Sequence, residues 1–367
     1  MEEELTNKGL LKVLKLYNDL ELKLLEEIAS HFSINEEFIN SDIWRIQKLN
    51  EMGVFNKDIE KYIKEYTNAS PNAIKNAFKG MGEEIYNIDK LNSAFKEGKV
   101  NIDPNILLTN GVIDTLIATQ YNELNNSLIQ LSNKIENATK QAYLNVVENT
   151  YLKTATGTHS YGEAIKESII ELGNKGIRTL TYSTIDETTG EVLGVRTYDV
   201  AGAVSRDILT NTRNLYNNIN MKIVNELEPK YIKLSEHLNC RPTHFDWQGT
   251  IIKREDLIPI TGYGEVDGLG GINCRHYFEP YFGEERGDAE KKYTQKECED
   301  IYTKTQEKRY LERGIRSWKR KKEMFKENGD IEEYKKASAK LTQWNKRYRL
   351  FCDKYNMQID YIRTYAK

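Results

Sequence analysis

Three of the chain's five histidines and two of its four cysteines fall between positions 237 and 276. They stand in two stretches, "SEHLNCRPTHFDWQG" and "GLGGINCRHYFEPYF". Side chains this scarce gather only where the fold makes two chain segments meet, so this cluster constrains the structure more than any other feature. The candidate ligands are His237, Cys240, His244, Cys274 and His276. Zinc takes four nitrogen or sulfur donors in a tetrahedron, commonly a pair from each of two segments. In an extended segment, Cys274 and His276 point to one face because Arg275 alone separates them. His244 with either His237 or Cys240 supplies the opposite pair.

Two other roles compete for the same residues. One is a hydrogen-bonded histidine core without metal. The other is an active site in which Asp246, Glu265 or Asp267 serves as general base beside a metal-bound water. Carboxylates in glycine-rich loops more often cap turns. "GYGEVDGLGG" fits neither phosphate-binding glycine fingerprint and has no strand-to-helix context. Trp247 is expected as a core residue packed over the histidines.

The fold class expected is mainly α, with long N-terminal helices, a small α+β domain holding the cluster, and an antiparallel C-terminal hairpin of helices. Leu10, Leu14, Tyr17, Leu24, Leu25 and Ile28 recur at helical spacing. "NSDIWRIQKLNEMG" predicts a short capped helix ending at Gly53. A polar–apolar repeat from about Thr115 to Tyr151 predicts one long helix. Ser160 and Glu163 have capping-box spacing, with Gly173 or Gly176 as the stop. "IRTLTYSTIDETTGEVLGVRTY" predicts a β-hairpin around a glycine-containing turn. Asp199 caps the next helix, Pro229 stops it, and "KYIKLSEH", "GTIIK" and "RHYFEPYF" supply short strands.

The domains expected are 1–155, an N-terminal helical, partner-docking region; 156–290, the α+β domain; and 291–367, the basic hairpin. In the last of these, Thr294–Glu297 and Asp330–Glu333 are capping-box pairs. Leu311, Ile315, Trp318 and Phe325 keep a heptad phase, answered by Tyr334, Ala337, Leu341, Trp344, Tyr348, Phe351 and Tyr355. Residues 291–367 carry 22 Lys plus Arg against 12 Asp plus Glu, and residues 1–290 carry 31 against 44. The hairpin's Lys and Arg are expected to face out, and a basic tail on an acidic body points to an anionic partner. No run of eighteen apolar residues offers a membrane span, and four dispersed cysteines make no disulfide framework. A reducing cytoplasm is the expected site of synthesis.

His237, Arg241–His244, Trp247–Gly249 and Asn273–His276 follow one another in an order that resembles the phage minor capsid protein 2 family, and more distantly the Mu F-type head morphogenesis proteins. "YLERGIRSWKRKKEMF" and the hairpin ending in "DYIRTY" also resemble that family. The position of Cys240 is often a small residue there, which favours His237, His244, Cys274 and His276 as the zinc ligands. The resemblance implies a structural virion protein without catalytic residues, near the portal vertex or inside the capsid of a tailed phage. Its expected partners are the portal protein, the major capsid protein and packaged DNA, the last through the basic hairpin, with no membrane. A phage-carried, metal-dependent nuclease or toxin-like enzyme is the alternative.

Overall fold

The computed structural model describes residues 8–68, 70–109, 111–185, 192–271, 274–283, 291–361 and 363–364. Helices dominate, joined by two small antiparallel sheets. The chain runs α1 (Lys8–Ser30), α2 (Ser41–Thr67), α3 (Ser70–Ile85), α4 (Ile88–Lys96), α5 (Asn105–Thr109), α6 (Val112–Ala155) and α7 (Tyr161–Lys175). The hairpin β1 (Arg178–Ile185) and β2 (Val192–Asp199) follows, then α8 (Val200–Leu227), β3 (Tyr231–Leu234), β4 (Ile251–Lys253), α9 (Leu257–Thr261) and β5 (Phe278–Tyr281). The tail is α10 (Gln295–Glu327) and α11 (Ile331–Lys354).

Local signals act where the sequence places them. All six apolar residues of the first stripe are buried in α1. The capping box at Ser160 is formed, and α7 ends at Gly176 with φ +65°, a left-handed conformation that glycine adopts at little cost. Asp199 Oδ1 accepts the Gly202 N–H at 2.9 Å at the start of α8. The expected glycine turn of the hairpin lies outside the described residues. One expectation is corrected: α2 does not stop at Gly53 but runs to Thr67. A mid-helix glycine costs about 1 kcal/mol. Phe55, Ile59 and Ile63 continue the buried stripe beyond it, and burying each such side chain contributes about 1.5–3 kcal/mol.

The chain forms two compact units, each drawn from three separate stretches. One comprises Met1–Leu11, Pro71–Ser127 and Arg206–Glu307. Its sheet has the order β4-β3-β5, with Ile232 opposite both Ile252 and Pro280. The core against the sheet joins Val224 of α8 to Ile232, Leu234, Trp247, Ile252, Leu257, Leu269 and Phe278. That packing holds in place the loop after β3 and the segment ahead of β5, which carry the histidines and cysteines.

The other unit comprises Lys12–Ser70, Leu128–Ser205 and Lys308–Lys367. Leu311 and Ile315 of α10 pack on Tyr348 and Cys352 of α11, with Leu341, Trp344 and Phe351 around them. A Cβ at Gly314 would collide with the Trp344 ring, so glycine sets this close helix approach. The expectation that the hairpin's Lys and Arg all face out is corrected for α10. Lys308, Arg320 and Lys321 are buried there. Lys308, Arg316 and Lys319 donate to the carbonyls of Gln358, Arg363 and Thr364. Arg320 lies 3.4 Å from Glu21 and 3.2 Å from Asp199, and Glu21 also accepts the Ile177 N–H at 3.0 Å. Buried cations of this kind persist because charge and hydrogen-bond partners offset their desolvation.

Burial raises the Glu21 carboxyl to about 7 despite the opposing Arg320 charge. Burial also acts on Asp199, but Arg316 and Arg320 outweigh it and hold that carboxyl below its ordinary value. Because the folded protein holds the Glu21 proton more tightly than the unfolded chain, this group's contribution is full at acid pH and is lost as pH rises toward 7. Asp199 titrates in the opposite sense, at lower pH. Urea denaturation of the native protein and Glu21→Gln is therefore expected to show the native protein losing stability relative to the variant between about pH 5 and 8. A difference independent of pH across that window would show that Glu21 is ionised throughout.

Candidate metal centre

Three donors come together beside the β4-β3-β5 sheet. His244 sits in a single 3-10 turn, Pro242–His244, that follows the loop after β3. Cys274 and His276 lie in the extended segment entering β5, where both are buried and Arg275 between them is not, as the alternation required. His244 Nδ1 and His276 Nδ1 are 3.3 Å apart. Cys274 Sγ lies 3.8 Å from the first and 3.6 Å from the second.

The other nitrogen of each ring fixes its tautomer. His244 Nε2 is 2.7 Å from the Asp267 carbonyl, which can only accept, so Nε2 carries the proton. His276 Nε2 is 3.0 Å from Gln248 Oε1, an oxygen identified by the His237 backbone N–H donating to it at 3.0 Å. His276 is thus also protonated at Nε2. Both Nδ1 atoms therefore present lone pairs to one another and to the Cys274 sulfur. Such an arrangement repels unless a cation is shared.

A proton is a poor candidate for that cation. Burial, helped by the neighbouring His237 and His244, pushes His276 down to about 2, and burial lowers His244 as well. A metal ion fits better. Metal–nitrogen bonds of about 2.05 Å and a metal–sulfur bond of about 2.3 Å in a tetrahedron put nitrogens about 3.3 Å apart and nitrogen about 3.6 Å from sulfur. The observed edges of 3.3, 3.6 and 3.8 Å follow that pattern closely. Burial raises the Cys274 thiol, while backbone N–H groups and the charges of Arg213 and Arg241 work the other way, toward thiolate. His244, Cys274 and His276 can hold a metal ion.

The remaining sequence candidates lie around this trio. The His237 ring packs edge-on against His276 with centroids 4.9 Å apart, and its Nε2 is 3.2 Å from Ser235 Oγ. Cys240 lies apart from the trio and hydrogen-bonds Cys298, with burial pushing its thiol up to about 12. Trp247 packs against both His244 and His276 at 4.7 Å and belongs to the sheet's core. Asp267 contributes its backbone carbonyl. Asn273 of the motif lies outside the described residues.

Three contributors carry no strong signal in the sequence. Gln248 is fully buried, one helical turn beyond His244, and its amide spans from His276 to the Cys298 sulfur 3.6 Å away. Ser235 accepts the Tyr277 N–H at 2.9 Å and ties β3 to the ligand segment. The glycine-rich loop proves tight: Gly262 takes φ +60°, and Gly268 lies against the Gly262 carbonyl with no room for a Cβ. That compaction delivers the Asp267 carbonyl to His244. Outer partners of this kind orient metal-binding imidazoles, and losing one typically lowers metal affinity about 10–100-fold. Gln248→Ala is expected to weaken binding by that factor in a competitive chelator titration, although it removes no ligand. An unchanged affinity would show that Gln248 does not orient His276.

With this geometry established, comparison with known proteins adds identity. Residues 3–353 match the family described as Phage minor capsid protein 2. A "Structural protein" of Lactococcus phage LL-H is 23 % identical over 323 residues, covering 83 % of this chain and 84 % of the relative. No solved structure matches the chain.

Proposed function

The chain belongs to the phage minor capsid protein 2 family, and on that premise we propose that it is a structural protein of the virion, built into the head beside the portal. The family match over residues 3–353 is the observation that carries this reading. In it, residues 1–155 dock on the portal or major capsid protein, residues 156–290 form a metal-stapled unit, and residues 291–367 contact packaged DNA. The structure contributes long helices with exposed apolar residues such as Ile43, Ile46 and Val54 in the N-terminal region. No helix among the described residues is long and apolar enough to cross a membrane.

The ion proposed is zinc. Two imidazoles and one thiol match its preference for nitrogen and sulfur. His237 is the proposed fourth ligand, turning from Ser235 toward the ion. When bound, the ion supplies a crosslink between the loop after β3 and the segment entering β5. The chain's own residues orient the donors, and the surrounding core excludes water. His244 and His276 are each 2 % exposed and Cys274 is 6 % exposed. That burial favours a structural staple over the rival reading, a metal-dependent nuclease, because a hydrolytic ion needs a coordination position open to substrate and water.

Mass spectrometry of purified virions and proheads tests the placement: the chain is expected in both, at low copy, and its absence from both would overturn the reading. Chelation is expected to lower the melting temperature with no change in nuclease activity, since metal binding here is coupled to folding. Chelator-sensitive DNA cleavage that disappears in His244→Ala would instead establish the enzyme.

A further inference from the structure

Several cations of α10 are committed inside the protein, whereas the Lys and Arg of α11 are exposed. Between positions 335 and 354, α11 has seven Lys or Arg and one acidic residue, Asp353. Lys335, Lys340, Lys346, Arg347 and Arg349 are exposed. None of these five has a carboxylate within salt-bridge distance among the described residues, and Arg347 rests on the Trp344 ring. Lys336, by contrast, is paired with Glu332 and Glu333, and exposed Lys354 lies over the Tyr355 ring.

At 3.6 residues per turn the unpaired cations fall into two rows about 130° apart on the helix. One row is Lys335, Lys346 and Arg349; the other is Lys340 and Arg347. Between the rows lie the uncharged, exposed Ala339, Gln343 and Leu350. The opposite side of the helix, with Ala337, Tyr348 and Cys352, is buried. Beyond its first turn, where Glu332 pairs with Lys336, the helix has cations along both flanks and an uncharged crest, which suits a groove whose two walls are negative.

We propose that the outer face of α11 is a binding surface for duplex DNA, seated in the major groove and held by phosphate contacts from both rows. The major groove, about 12 Å wide, admits an α-helix with a phosphate backbone on each side. The 24 residues of α11 span about 36 Å at 1.5 Å per residue, close to one turn of the duplex. The excess of acidic groups in residues 1–290 repels DNA from the rest of the chain and favours approach by this face. Contacts of this type position the protein without selecting a base sequence. The proposal rests on the reading that the protein lies in a head containing packaged duplex DNA.

Five neutralised phosphates give a slope of log affinity against log salt of about −4.5. Fluorescence anisotropy of the full-length protein with a short duplex is expected to show that slope. The triple variant Lys335→Gln, Lys346→Gln, Arg349→Gln alters only exposed side chains and is expected to bring the slope to about −2 and weaken binding at least about tenfold at low salt. Polyglutamate, an anion without grooves, is expected to bind far more weakly than DNA. An unchanged slope in the triple variant, or equal binding of polyglutamate and duplex, would overturn the proposal, the latter assigning the face to an acidic protein. Detection in virions is scored separately. The chain present there without DNA binding sinks this surface alone, whereas its absence sinks the reading beneath it.

Discussion

Two imidazole lone pairs held 3.3 Å apart in a buried site, with a cysteine sulfur closing the triangle, are best satisfied by a shared cation, and the three residues can hold a metal ion. The rest of the cysteine–histidine unit is arranged around that requirement. β3 lies between β4 and β5 and ties the loop bearing His244 to the segment bearing Cys274 and His276. Gln248 and the Asp267 carbonyl each occupy the outward nitrogen of one ring, so that Nδ1 faces inward. Glycines at 262 and 268 compact the loop that delivers the carbonyl. A metal ion held there would crosslink segments about thirty residues apart in sequence, which a short three-stranded sheet holds only weakly.

The legibility of this molecule from its sequence follows the range of the interactions involved. Caps at Asn40, Ser160, Asp199, Thr294 and Asp330 act over three residues and are readable directly. The α10–α11 hairpin repeats its pattern over many turns and is equally plain. The three ligands stood out through the scarcity of their residue types and the spacing of Cys274 and His276. Gln248 did not, because a buried glutamine looks like any other until both ends of its amide have partners. Nor did the Asp267 carbonyl, since backbone groups carry no sequence signal.

The inward cations of α10 were missed for a related reason. Arg320 finds Glu21 and Asp199 from positions far away in the chain, and such pairing is invisible to a local count of charges. Gly53 misled in the opposite sense: a residue that usually weakens helices sits in one whose buried stripe continues on both sides. Net charge therefore overstated how basic the surface of the tail is, because several cations of α10 are buried. The same sorting links fold to role. One face of the hairpin is consumed by packing, and the other remains for a partner.

X-ray absorption at the zinc edge of the purified protein tests the central claim most directly. About one ion per chain is expected, with a sulfur scatterer near 2.3 Å and nitrogens near 2.0–2.1 Å. Stoichiometric protein without metal, or an ion coordinated only by oxygen, would contradict it.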